Sequence, residues 1–408
     1  MFTLNGSIVD IVQSYCYLGI IFSASGTFNK ACEALTSKAL KAFYKFKQIH
    51  PNNNVPLALK LFDTLVSPIA SYCGAIWGVL CTGNNVDIYD LNFYDKAPLE
   101  KINLKLCKYL LGVNKYSCNH AVRGELGRYP LLINVLDMCS KFRRRIFTLS
   151  DNTLVKLSCI DINSCISNKD VYDPTVRKAL WQSRVDHLSH ISADSKMILQ
   201  NIYSCLWSDV ISNQTCDDKL RTYAKFKSEF EIENYVISVP FHRRKMFTRL
   251  RISAHQLAIE KGRHKNLPKK ADIKCDFCCL VKENCTCNRF KYHRLCHCCN
   301  VVEDEIHFLL KCTIYDQARS DFFNKLRGLF TFNLSQDDAQ CFITLMNNLY
   351  GDPELAPLVC DFVDKCFDLR KKYLEPFEIQ NVQELRRATC TRYGRLAKQP
   401  DRLIESIG

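Results

Sequence analysis

The side chains best able to do chemistry crowd into one stretch, Cys275 to Cys312, which reads CDFCCLVKENCTCNRFKYHRLCHCCNVVEDEIHFLLKC. It holds nine of the chain's 24 cysteines together with His293, His297 and His307. Inside it lies Cys296-x2-Cys299-x7-His307-x4-Cys312. Thiolate and imidazole are the ligands Zn2+ favours, four of them in a tetrahedron at about 2.0–2.3 Å. A C-x-x-C pair sets two thiolates on one tight turn. A His and a Cys five residues apart can face inward from one helix. EDEIHFLLKC is expected to supply that helix, with Glu303, Asp304 and Glu305 at its positive end. A filled set of four ligands points to a structural metal, because catalytic zinc keeps a position open.

The spacing leaves the ligand set open. Cys275-x2-Cys278, seventeen residues and Cys296-x2-Cys299 also fit a two-pair zinc site, which would leave His307 and Cys312 idle. A third arrangement has two zincs, with Cys275, Cys278, Cys285 or Cys287, and His293 on the upstream one. Buried inert thiols are the plain alternative to all three.

Other chemistry is not written in the chain. It has no phosphate-binding glycine loop of either common spacing and no G-x-S-x-G nucleophile elbow. His242, His255 and His264 form no sequence pattern with a nucleophile. Asp217-Asp218 and Asp337-Asp338 read as acids at helix starts. Trp77, Trp181 and Trp207 lie in apolar contexts and read as core.

The elements that position the cluster are mainly helical. At 408 residues, 47% apolar and 24% charged, the chain is globular and long enough for two or three domains. Lone cysteines such as Cys16, Cys73, Cys107 and Cys205 read as small hydrophobes. No signal peptide and no membrane-length apolar run is seen, so the reading is intracellular, nucleus or cytoplasm, with no membrane partner and thiols free or on metal.

Residues 1–23 read as strands with a hairpin at Asn5-Gly6. Helical periods then run over 24–150, with starts at Thr27, Pro56, Pro98, Asn119 and Pro130. The last of these helices carries Lys141, Arg143, Arg144 and Arg145. A boundary is expected near 150, and helices follow at about 175–191, 194–211, 216–233 and 241–260. The metal module is placed at 271–330. Residues 331–408 read as helices ending in a basic tail that frays beyond Pro376.

Net charge is +14, from 56 basic and 42 acidic residues, which favours a polyanionic partner. The helix from Phe241 to Glu260 concentrates it: Arg243, Arg244, Lys245, Arg249 and Arg251, followed by Arg263 and Lys265. Cations at a helix N-terminus are electrostatically unfavourable. These residues are therefore expected to face nucleic-acid phosphates.

Several phrases, in order, resemble the C-terminal half of a reverse transcriptase from a LINE-type (non-LTR) retrotransposon. They are Tyr17-Leu-Gly-Ile-Ile-Phe-Ser23 with Gly26-Thr-Phe28; Lys60-Leu-Phe-Asp63 with Pro68-Ile69 and Ile76-Trp-Gly78; Leu110-Leu-Gly-Val113; Gly124-Glu-Leu-Gly-Arg-Tyr-Pro130; Thr248-Arg-Leu-Arg-Ile-Ser253; and Arg294-Leu-Cys-His-Cys-Cys299 leading to Glu303-Asp-Glu-Ile-His-Phe-Leu-Leu-Lys-Cys312. The likeness covers roughly residues 1 to 330. It implies the last palm strands in 1–23, a helical thumb in 27–130, a connector to 270, and a CCHC zinc knuckle on Cys296, Cys299, His307 and Cys312.

The resemblance also implies RNA or DNA partners, the element's transcript or its target. Polymerisation needs carboxylates holding two metal ions. The family carries them in a Tyr/Phe-x-Asp-Asp turn upstream of the Tyr-Leu-Gly phrase, and this chain starts after it. The stretch Cys275 to Cys287 departs from the family pattern. The expectation is thus a zinc-dependent nucleic-acid-binding protein that is not itself an enzyme. The alternatives are a helical zinc module that binds protein, and a polymerase half active only with a separate palm in trans.

Overall fold

The computed structural model describes residues 2–4, 6–49, 54–78, 87–167, 194–214, 218–264, 296–299, 301–329, 337–347 and 354–396. They are mainly α-helical, with short antiparallel hairpins at the start. The chain divides into two compact units, Met1–His255 and Gln256–Gly408.

The first unit opens with two separate two-stranded sheets where one hairpin was expected. β1 (Phe2–Leu4) pairs with β2 (Ser7–Val9). β3 (Ser14–Tyr17) pairs with β4 (Ile20–Ser23), Tyr15 opposite Phe22. The Tyr-Leu-Gly phrase is the turn between them. Leu18 and Gly19 both have positive φ, 47° and 83°, the geometry that matches the twist of a tight hairpin. Ile20 is buried beneath α1.

α1 (Asn29–Ile49) buries Ala31, Cys32, Leu35, Ala39, Phe43 and Phe46, a stripe at helical spacing. α2 (Val55–Leu65) is capped by Asn54, whose side chain accepts from the Leu57 N–H at 3.0 Å. α3 (Ser67–Ala70), α4 (Gly74–Trp77) and α5 (Leu91–Lys96) are short. α6 (Glu100–Leu111) ends at Gly112 with φ 66°, a left-handed stop. α7 (Asn119–Glu125) and α8 (Leu131–Thr148) follow, then α9 (Leu154–Ser167) and α10 (Ser195–Ser212).

The boundary expected near residue 150 is absent, because α10 packs on α8 inside one unit. Ser195 Oγ donates to Asp137 at 2.5 Å, and Trp207 Nε1 donates to the His120 carbonyl at 2.9 Å. Trp77 and Trp207 are both fully buried, as expected of core. The helix expected at 175–191, with Trp181, lies outside the described residues.

A helix was expected over 216–233; the described part, 218–233, contains only a 3-10 turn, Tyr223–Lys225. Tertiary contact overrides their spacing. Phe230 sits among Tyr129, Tyr203 and Trp207 with ring centroids 4.9–5.4 Å away. α11 (Asn234–Ser238) and α12 (Phe241–Arg251) complete the unit.

The expected helix from Phe241 to Glu260 stops at Arg251. Ser253 takes φ 52°, its N–H bonds Leu250 O at 3.3 Å, and the Ala254 N–H bonds Arg249 O at 2.8 Å. That pair of bonds is a Schellman stop, here with serine at the left-handed position.

The second unit begins with α13 (Ala258–His264), so the boundary falls at 255 rather than 270. It then contains the cysteine cluster, a five-residue π turn (His307–Lys311), a 3-10 turn (Thr313–Tyr315), α14 (Asp316–Leu329), α15 (Asp338–Met346) and α16 (Leu355–Leu396). Asp337 caps α15 by accepting from the Ala339 and Gln340 N–H groups, the helix-start role expected of the acid pair. α16 runs on through Pro376 to Leu396, where the sequence had suggested fraying. Its seat on α14 includes Phe362 stacked on Phe322 at 4.4 Å.

Candidate metal centre

Cys296, Cys299, His307 and Cys312 converge on one point. Their ligand atoms all lie within 4.8 Å of one another. The Cys312 sulfur is 3.7 Å from that of Cys296 and 3.8 Å from that of Cys299. Two thiolates on one tetrahedral centre with bonds of about 2.3 Å sit about 3.8 Å apart. His307 Nε2 is buried and has no hydrogen-bond partner, an orphaned lone pair that a metal ion would satisfy. The four residues can therefore hold a metal ion.

Local structure sets this convergence. The Cys296 N–H bonds Val301 O at 2.7 Å, closing the turn that carries Cys296 and Cys299. His307 and Cys312 were expected on an ordinary helix. They instead bracket the π turn: the Cys312 N–H bonds His307 O, five residues back, at 2.8 Å. Cys312 then leaves in extended conformation, φ −66° and ψ 127°. On an α-helix five residues turn the chain by about 500°, so the wider turn improves the alignment of the two side chains. Asp304 starts the turn, its Oδ1 accepting the His307 N–H at 2.7 Å.

The environment favours a neutral imidazole at His307. Burial lowers its pKa, and Asp304 and Glu303 oppose that only in part. Burial and the adjoining sulfurs push the Cys312 thiol up. At Cys299 burial raises the pKa, but hydrogen bonds from the Thr313 backbone and hydroxyl outweigh it and the thiol ends below its ordinary value. Cys298 and His297 are exposed on the same turn. The upstream set, Cys275, Cys278, Cys285, Cys287 and His293, lies outside the described residues, as do the 275/278 arm of the two-pair arrangement and Lys265.

Groups around the ligands were not legible as such. Arg319 donates to Leu309 O at 2.9 Å and to Cys312 O at 2.7 Å. Glu303 is buried; Arg370 donates to it twice, at 2.6 and 2.7 Å, and the Ala258 N–H at 2.6 Å.

The basic helix turns two of its arginines inward, where phosphate contacts were expected. Arg244 is fully buried and donates to the carbonyls of Val236 and Leu110. Arg251 is buried against Glu125, with Nη2 to Oε1 at 2.9 Å, and against Glu233 at 3.1 Å. Arg249 Nε donates to Gly112 O at 3.0 Å. Arg244 and Arg251 are buried inside unit 1 and do not face phosphates, against the expectation, while Arg249 is half-buried. In the first turn Arg244 is held by the carbonyls of Val236 and Leu110, and at the last residue Arg251 is held by carboxylates. Arg243 and Lys245 are half-buried on α12. Arg263 lies on α13, and its side chain is outside the described set. Along α8, Arg143 is buried with its guanidinium over Phe147, and Lys141 pairs with Asp137.

Three of the phrases that carried the resemblance, all in the first unit, meet one another in space. Arg128 forks onto Asp63 and donates to Asn103 at 3.0 Å. Gly124 leaves room for Trp207: a Cβ there would lie 2.5 Å from its ring. Glu125 takes the guanidinium of Arg251, joining the Gly124–Pro130 phrase to the Thr248–Ser253 phrase.

A second positive surface was missed by sequence reading. α1 exposes Lys30, Lys38, Lys41 and Lys45, and α6 exposes Lys101 and Lys105. Lys105 Nζ donates to Tyr44 OH at 2.9 Å, and Lys47 lies over the Tyr109 ring at 4.5 Å. Glu33 is the only exposed acid of the two helices, since Glu100 is buried. The signal was available: Lys38, Lys41 and Lys45 share one helical face by spacing.

Compared with protein-family models, curated proteins and solved structures, the chain matches none of them. No described helix is long and apolar enough to cross a membrane. Cys32, buried on α1, is disulfide-bonded, against the expectation of free thiols, while Cys16 and Cys205 are exposed rather than packed as hydrophobes.

Proposed function

We propose that the chain is a nucleic-acid-binding protein whose second unit is organised by Zn2+ on Cys296, Cys299, His307 and Cys312, and that it performs no polymerase chemistry of its own. It derives, on this reading, from the C-terminal part of a LINE-type reverse transcriptase. Zinc suits three thiols and an imidazole in a tetrahedron better than a hard cation does. The single observation that carries the nucleic-acid reading is the α1–α6 face, where lysines interleave with Tyr44 and Tyr109 and Glu33 is the sole exposed acid. Lysines neutralise phosphates, and an exposed aromatic such as Tyr44 stacks on bases. Arg244 and Arg251 take no part, being buried inside unit 1.

The test is binding to RNA and DNA oligonucleotides across a salt series. Binding should weaken steeply from low to moderate salt. Lys41→Glu, Lys45→Glu and Lys105→Glu together should weaken it further, with the log–log salt slope shallower by about one per lysine removed. Absence of binding at low salt contradicts the reading and leaves a helical zinc protein that binds protein. Primer extension on adding a separate palm would restore the enzyme-half alternative.

A further inference from the structure

We propose that Arg319 and the Glu303–Arg370 pair are positioning residues of the metal centre, and that through them metal affinity and the seating of α16 are one linked equilibrium. The inference rests on the zinc reading above.

Arg319 is fixed along three edges. Nε reaches Leu309 O, Nη2 reaches Cys312 O, and Nη1 reaches Asp316 at 2.6 Å. Cys312 O also takes the Tyr315 N–H at 3.2 Å, so the guanidinium adds a second, shorter bond to it while holding Leu309 O. One planar group on both carbonyls sets the angle at which the chain leaves the π turn, where Cys312 offers its sulfur. A lysine ammonium cannot span both carbonyls with a planar fork.

Glu303 ties three segments together. It follows the Cys296–Val301 turn closely in sequence, takes the Ala258 N–H of α13, and receives both arms of Arg370 from α16. Next to the ligand His307, Phe308 packs against Phe367 of α16, centroids 4.6 Å apart, and against Tyr315 at 4.9 Å. An ion that holds His307 therefore holds Phe308 against α16. By reciprocity, a seated α16 holds the ligands for the ion. Groups one shell behind metal ligands alter affinity in this way.

The experiment uses the full chain, with Co2+ as the probe in a competition titration and hydrogen exchange over residues 355–375 as the second readout. Wild type should bind Co2+, and removing it should speed exchange in that segment. Arg319→Lys and Glu303→Gln should each lower Co2+ affinity by about 10–100-fold, with circular dichroism showing helix content kept. Glu303→Gln should also speed exchange over 355–375 in the metal-loaded protein. Lys365→Ala, which removes only the exposed pair between Lys365 on α16 and Asp321 on α14, should leave affinity within twofold. The proposal is overturned by affinities within twofold of wild type in Arg319→Lys and Glu303→Gln, or by exchange over 355–375 that ignores the metal. It is equally overturned if Lys365→Ala weakens Co2+ as much as they do. Failure of wild type itself to bind Co2+ overturns the zinc reading, and the linkage with it.

Discussion

At the scale of single residues, the arginines decide how the charge of this chain is to be read. Arg251 is fully buried between Glu125 and Glu233, with Phe226, Tyr235 and Phe247 rings around its guanidinium. A buried pair gains little over a well-packed apolar substitute, but breaking it strands a charge. Arg251→Met should therefore destabilise unit 1 by about 3–5 kcal/mol. Adding Glu125→Gln to it should recover part of that loss, because the stranded charge is then gone. Denaturant unfolding of the single and double variants checks this; equal stability of Arg251→Met and wild type would contradict it. Sequence alone could not distinguish such an arginine from a phosphate ligand. Its partner Glu125 is 126 residues away, and side-chain charge is the same in both roles. The four candidate ligands were legible as one of three arrangements for the opposite reason. All four lie within Cys296–Cys312, so a short stretch of spacing names them.

At the scale of elements, periodicity located the helices and stop signals located fewer of their ends. Gly112 and Pro130 mark the end of α6 and the start of α8, as glycine and proline should. The end of α12 was missed because Ser253, not glycine, occupies the left-handed stop. Residues 218–233 were misread because aromatics three or four apart suit a helix and an irregular segment pinned by an aromatic cluster alike. The π turn was not legible either, since a five-residue interval fits several helical geometries. Gly127 shows where backbone geometry is strictly required. Its φ is 54°, and a Cβ would meet the Ile232 nitrogen at 2.8 Å, beside the Leu126–Ile232 bridge. Gly127→Ala should cost at least about 1–2 kcal/mol in strain alone, seen as a lowered unfolding midpoint of unit 1. An unchanged midpoint would mean that this turn relaxes without penalty.

At the scale of the whole molecule, the chain forms two compact units. The first is held by packed helices and buried ion pairs, and it carries the lysine face of α1 and α6. The second surrounds the four-ligand centre with α13, α14 and α16, and no large sheet or glycine-rich phosphate loop is described in it. A metal ion binding only the folded form adds its binding energy to folding. The account stands or falls on that ion, and the most direct measurement is the zinc content of the purified full chain. Comparing wild type with Cys296→Ser/Cys312→Ser isolates this site from any zinc held elsewhere. The predicted difference is one equivalent of zinc per chain; equal zinc content in the two proteins would contradict the account.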